Sequence, residues 1–347
     1  MSLVLTITNF NCQKQFILRL SLIFFLFSNA IFSTNTFAQK IIEIPDPELD
    51  SSYVEVNYKQ WSVRAFSALW YHNLILKNSS NGRIAYYPTS PFSLGIGFAY
   101  RFLVIDIGFR FTREFKSNRF DFQTQFVIKR NLFDLLFQDY SGFQRRRKGV
   151  PIEFRDDIKS RIFTFNHFFI VNNDKLSMSS ALSGNRIQRK SAGTLLFGSF
   201  LSYNKIKADS TLIPKEADGN FDNFAQIVDS RTFNFGVYIG YAYNWVLPKG
   251  FFIFSSISPG IGVNIGKVNS VETYTPPVFP TWKIYGRVSF GKAFKNSYLI
   301  LGLTSNLTLF QLTDVNSYQH NAGQFKLVFG YRFKKQNKIT ETIDKTF

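Results

Sequence analysis

The chain offers three residues suited to general base work, His72, His167 and His320, and a hydrolase would need one of them beside a nucleophile. Their settings argue against it. His72 is followed by Asn73-Leu74, His167 by Phe168-Phe169 and His320 by Asn321-Ala322, so none stands in a His-x-Ser arrangement. No two histidines lie close in sequence, and neither Asp46-Pro47-Glu48 nor Asp156-Asp157 has the spacing of a calcium loop. Cys12 is the only cysteine. The sequence therefore assigns no catalytic, cofactor-binding or metal-binding residue, expects no cofactor, and leans away from an enzyme. Gly95 and Gly97 form a G-x-G inside an alternating stretch, where small residues report close packing rather than phosphate binding.

The charged residues say more. Arg64, Asp106, Arg110, Asp121, Lys283, Arg287, Lys326 and Arg332 all occupy the polar side of segments whose other side is greasy. In a membrane such charges must face inward, because one near the midplane on the lipid side costs about 2–4 kcal/mol. Paired, they would make a filled, structural interior; solvated, an anion-leaning pore. The pairing reading is slightly favoured. The block Arg145-Arg146-Arg147-Lys148 is either a solvated loop or a grip on lipopolysaccharide phosphates, the former being favoured.

What must position these groups is a set of strands. Phe325, Leu327, Phe329, Tyr331 and Phe333 alternate with Gln324, Lys326, Val328, Gly330 and Arg332, and Phe233 to Trp245 alternates in the same way. Period two over a dozen residues means β-structure. Further strands are expected at 61–76, 92–100, 103–111, 119–129, 191–204, 251–265, 282–290 and 299–309. They are long for a soluble sheet and suit a membrane, which a strand crosses in about 9–11 residues. Their second face is Gly, Ser, Ala, Thr and Asn, as barrel interiors are. Since lipid leaves no backbone group unpaired, the sheet must close on itself. Trp61, Trp70, Tyr71, Tyr86, Tyr87, Trp245, Phe251, Phe252 and Trp282 stand near expected strand ends, as interfacial girdles would.

The expected fold is thus all-β, a closed antiparallel up-and-down transmembrane β-barrel of about 12 strands, within a range of 10–14. Short links at Arg101-Phe102, 247–250 and 292–296 alternate with long polar ones at 77–90, 205–231, 266–280 and 310–321. Between them, 133–144, 160–171 and 175–185 are all strand candidates. Accepting all three gives an odd total, so one is spare or another is hidden, and 130–190 is the region where the count is open.

At the N-terminus, Lys14 and Arg19 precede an apolar run from Leu20 to Phe27 and small residues up to Ala38, which reads as a secretory signal peptide over 1–38. Its removal lowers the formal charge from +18 to +16 and takes Cys12 with it. A periplasmic lead-in is expected over 39–58, the barrel over 59–333 and a basic tail over 334–347. For an exported basic chain the expected partners are outer-membrane lipids and lipopolysaccharide, with the barrel-assembly machinery during biogenesis, and no nucleic acid.

The run Gln188-Arg189-Lys190-Ser191-Ala192-Gly193-Thr194, with Leu195-Leu196-Phe197-Gly198 after it, resembles a motif of domain-of-unknown-function family 4421, uncharacterised outer-membrane barrels of Bacteroidetes. Tyr140-Ser141-Gly142-Phe143 and Gly95-Ile96-Gly97-Phe98-Ala99-Tyr100 are similar to the same family. The resemblance covers roughly residues 50–333 and implies an outer-membrane barrel without implying an activity or any functional residue. The functional expectation is a non-enzymatic structural or accessory barrel, or a narrow channel. The alternatives are a lipid- or lipopolysaccharide-modifying enzyme and a surface receptor or adhesin acting through loop 205–231.

Overall fold

The computed structural model describes residues 49–333, except 57–60, 80–81, 90–91, 101–102, 110–117, 146–151, 185, 216–220, 222–224, 270–272, 275–278 and 313–314. The expected signal peptide, most of the lead-in, the basic tail, Arg110 and Arg146–Lys148 lie outside the described residues.

Twelve strands close a ring: β1 (Trp61–Asn78), β2 (Phe92–Tyr100), β3 (Leu103–Phe109), β4 (Asn118–Ile128), β5 (Asn131–Arg145), β6 (Glu153–Ile170), β7 (Ala192–Lys207), β8 (Asp229–Val246), β9 (Phe251–Asn269), β10 (Phe279–Ala293), β11 (Ser297–Gln311) and β12 (Asn316–Phe333). Each pairs antiparallel with its neighbour in sequence, and β12 closes on β1 in one unbroken register from Trp61↔Phe333 to Asn78↔Asn316. An up-and-down ring with an even count brings both barrel ends of the chain to one mouth. That mouth also carries the tight links Lys129–Arg130, 247–250 and 294–296 together with one long connection, 171–191 between β6 and β7; the connections after β1, β3, β5, β7, β9 and β11 lie at the other mouth.

The outward face is apolar. Val237, Ile239, Ile257, Trp282, Val288, Phe325 and Phe329 are among the large hydrophobic side chains left exposed, and the residues between them point inward and are buried or small. Nothing among the described residues covers this belt, so the ring spans a membrane with lipid as its outer solvent. No helix of the described residues is long and apolar enough to cross.

The open count between 130 and 190 resolves physically. Residues 131–145 and 153–170 are strands, whereas 175–185 is not: it forms a short helix, α1 (Met178–Leu182), in the connection from β6 to β7. Its Ser-rich sequence bonds to itself, Ser180 and Ser183 hydroxyls donating to the carbonyls of Ser177 and Ser179 at 2.7 and 2.8 Å, which diverts the backbone from a sheet ladder. Gly184, with φ +66°, ends it under the ring of Tyr298. The expected girdle is also corrected at three positions. Trp70, Tyr86 and Phe252 are only 4%, 0% and 8% exposed and belong to the interior. Trp70 and Phe252 hold inward places in the β1 and β9 alternation, and Tyr86 lies on the strand Arg83–Pro88 that folds in over the long-loop mouth between β1 and β5.

Candidate functional site

The candidate site is the lumen, where three levels of side chains meet. At the short-turn mouth, α1 and its flanks turn inward as a plug, with Leu176, Met178 and Ala181 buried in the main apolar core. Arg332 donates from Nε to the Gly184 carbonyl at 2.7 Å, Arg64 reaches the Leu182 carbonyl at 3.4 Å, and Asn244 donates to the Ser180 hydroxyl at 3.1 Å. Gln188 folds the segment on itself, accepting from the Ser177 N–H at 3.0 Å and donating to the carbonyls of Lys175 and Lys190 at 2.6 and 3.0 Å. The strand Val54–Val56 pairs with Arg186–Gln188 on this plug, and Glu55 forms an ion pair with Arg189.

Just above, Asp106 accepts from Arg64 at 3.0 Å and from Lys326 at 2.8 Å. Gly97 makes that possible, since a Cβ there would collide with the Asp106 carboxylate. In the middle level Asp134 is fully buried and accepts from Arg287, Gln125 and Gln123 at 2.7, 2.6 and 2.9 Å. Lys283 lies in the same level with its ammonium 2.6 Å from the Ser202 hydroxyl. The cations rest on rings: Lys326 over Phe66, Lys283 over Phe200, Arg287 over Tyr285 and Arg332 over Tyr298, at 4.3 to 5.1 Å from the ring centres. Stacking of this kind, removed from water, stabilises the cation and fills space. The inward charges thus pair and pack rather than line water. Arg64, Lys283, Arg287, Lys326 and Arg332 face two carboxylates here, Asp106 and Asp134, so these levels keep a positive balance.

The upper level corrects the expectation that no nucleophile meets a base. Ser160 Oγ lies 2.7 Å from His72 Nε2, and Gln138 Oε1 lies 3.2 Å from His72 Nδ1. Gln138 and Tyr140 in turn donate to Asp121 at 2.9 and 2.5 Å, and Arg119 pairs with Asp121 at 2.7 Å. A serine, a base and an orienting amide are the parts of acyl-transfer chemistry. Their setting is closed, however. His72 and Ser160 are buried, the His72 ring stacks on Tyr140 at 4.6 Å and meets His320 edge-on at 4.8 Å. No sequence spacing could have found this relay, because its members sit on β1, β5 and β6 and meet only across the closed ring. His167 stands apart, bonded to Asn131 at 2.8 Å. Among the described residues no cluster of His, Cys, Asp or Glu is placed to hold a metal ion.

Over this level the long-loop mouth is covered. Leu212, Ile213, Phe221, Ala225 and Ile227 of the β7–β8 connection are buried against Leu74, Tyr86, Phe143 and Tyr318. Tyr86 donates its hydroxyl to the Leu212 carbonyl at 2.7 Å, and Arg155, paired with Asp157, clamps the carbonyls of Ser210 and Thr211. This connection is shorter than the expected loop 205–231, since β7 runs to Lys207 and β8 starts at Asp229: backbone pairing continues beyond the apolar band that marks the strands in sequence.

A family model described as a domain of unknown function (DUF4421) matches residues 48–333. The chain belongs to this family. Each stretch that carried the resemblance to DUF4421 has a structural task in this chain. Gln188 ties the plug, Gly142 (φ +80°) makes the β5 bulge that turns Phe143 into the interior, and Gly97 admits the Asp106 cluster. No curated protein matches the chain. Among solved structures, the outer membrane protease OmpT from Escherichia coli is similar at 8% identity, covering 80% of this chain and 98% of that one, with a TM-score of 0.32. An outer membrane channel from Pseudomonas putida F1 is similar at 11% identity over 82% and 99%, TM-score 0.29, and Neisserial surface protein A at 9% over 79% and 97%, TM-score 0.21. At such values nothing those proteins do passes to this DUF4421 chain.

Proposed function

We propose that this protein is a non-enzymatic outer-membrane barrel with a closed lumen, a structural or accessory element rather than an open channel. One observation carries the reading: the interior is obstructed at three successive levels, by the plug around α1, by the Asp134–Arg287 layer with Phe168, Tyr238 and Tyr285, and by the apolar cap around Leu212. Conduction needs a continuous wet path, and filled levels of this kind remove it. Short links in such barrels face the periplasm, which would put the plug on that side and the cap outside. Full-length protein inserted into planar bilayers is expected to stay silent; reproducible open steps would overturn the proposal.

The Ser160–His72–Gln138 relay favours a second reading, a hydrolase active once the cap lifts. A fluorophosphonate probe decides between them. Under the first reading the folded protein is unlabelled, while labelling that disappears in Ser160→Ala would establish the second.

A further inference from the structure

The outer wall of β6 to β9 carries a feature that the closed lumen does not use. Arg161, Lys205, Arg231 and Lys267 are direct cross-strand neighbours: Arg161↔Lys205 between β6 and β7, Lys205↔Arg231 between β7 and β8, Arg231↔Lys267 between β8 and β9. One step further from the membrane, Lys159 faces Lys207 across β6 and β7. All six lie on the outward side, alternating with the buried Ser160, Ile162, Asn204, Ile206, Thr232 and Val268.

Like charges placed directly opposite across strands destabilise a sheet, so a row of four is a cost the fold carries for some other return. Acidic relief is partial. Among the described residues, Asp139 pairs with Arg161 at 2.5 Å on one flank, Asp229 approaches Arg231 at 3.4 Å and stands opposite Lys207, and Lys159, Lys205 and Lys267 form no ion pair. Strand spacing sets the row's length at about 15 Å. Immediately below it on the same face run Phe163, Tyr203, Phe233 and Ile265, registered to one another and apolar, with Leu201 and Phe235 beneath them. The cations therefore sit at the edge of the lipid belt, at the long-loop end, where stems lie along apolar surface and heads reach the headgroup level.

We infer that this four-strand strip is a binding site for phosphorylated lipid headgroups of the leaflet surrounding the long-loop mouth. The Arg161 and Arg231 guanidiniums supply forked donors for phosphate oxygens, and Lys159, Lys205, Lys207 and Lys267 supply point charges, a set matched to a headgroup with more than one phosphate. The site rests on the membrane-barrel reading above and is independent of whether the lumen conducts.

The test uses full-length protein reconstituted in phosphatidylcholine vesicles holding a minor fraction of a bis-phosphorylated, acylated glucosamine disaccharide, then extracted in neutral detergent. Lipid retained per barrel is measured by native mass spectrometry. Lys205→Gln/Arg231→Gln/Lys267→Gln is expected to retain at least about tenfold less of that lipid than the unaltered protein. Lys129→Gln/Lys249→Gln/Lys295→Gln, which removes equal charge at the opposite mouth, is expected to retain it fully. Equal retention in the strip variant, or equal loss in the control variant, would overturn the site. So would retention that free inorganic phosphate competes away as effectively as the lipid does. Heat-modifiable gel migration, checked for every variant, separates failure of the strip from failure of the barrel.

Discussion

Asp134 has no exposure to solvent, yet the side chains of Gln123, Gln125, Asn166 and Arg287 donate to it, the last through a buried guanidinium. Removing one member of such a pair strands the other charge in a low-dielectric interior. Asp134→Ala is therefore expected to cost about 3–5 kcal/mol, read as a lower urea midpoint for the vesicle-embedded barrel. Asp134→Leu combined with Arg287→Met should cost less than Asp134→Ala alone, because no ion is left unpaired; a double variant that is worse would mean the pair contributes through packing. Sequence alternation alone put Arg64, Lys283, Arg287, Lys326 and Arg332 on the inward side. Asp134, their main counter-charge in the middle level, escaped attention because Leu132, Leu136 and Phe133 around it give β5 no clean contrast between faces. Ser160 was equally invisible, being one serine among many until the ring brought it to His72.

At the scale of elements, the plug hangs on few contacts. α1 is short, and its polar hold on the wall runs through the Gly184 and Leu182 carbonyls to Arg332 and Arg64 and through the Ser180 hydroxyl to Asn244. Arg64→Met/Arg332→Met should raise amide hydrogen exchange over 177–184 by about tenfold or more while the strands keep their protection, since local opening costs less than global unfolding. Unchanged exchange there would mean that apolar burial of Leu176, Met178 and Ala181 suffices. This element is also the spare candidate among the three that the sequence left open in 130–190. Accepting residues 175–185 as a strand would make the total odd, and their serines bond to nearby carbonyls, local hydrogen bonds that compete directly with strand pairing.

For the whole molecule, closure is the decisive property. β12 meets β1 over the full span from Trp61↔Phe333 to Asn78↔Asn316, so the first and last strands of the ring are both paired and the sheet closes on itself. Unboiled protein is expected to migrate faster on gels than boiled protein; identical migration would contradict a closed ring. The period of two, the length of the strands and the greasy outer face were fixed by the sequence itself, because in a sheet the side-chain direction alternates with residue number whatever the neighbours are. Which candidate between 130 and 190 is not a strand, the plug, the inward Trp70 and Tyr86, and the meeting of Ser160 with His72 were decided only by tertiary structure, while the count of about twelve strands was legible in the sequence. The same holds for the basic row across β6 to β9. Alternation tells which side of its own strand a residue faces, whereas register between strands tells which residues stand side by side, and register is set by the closing of the ring.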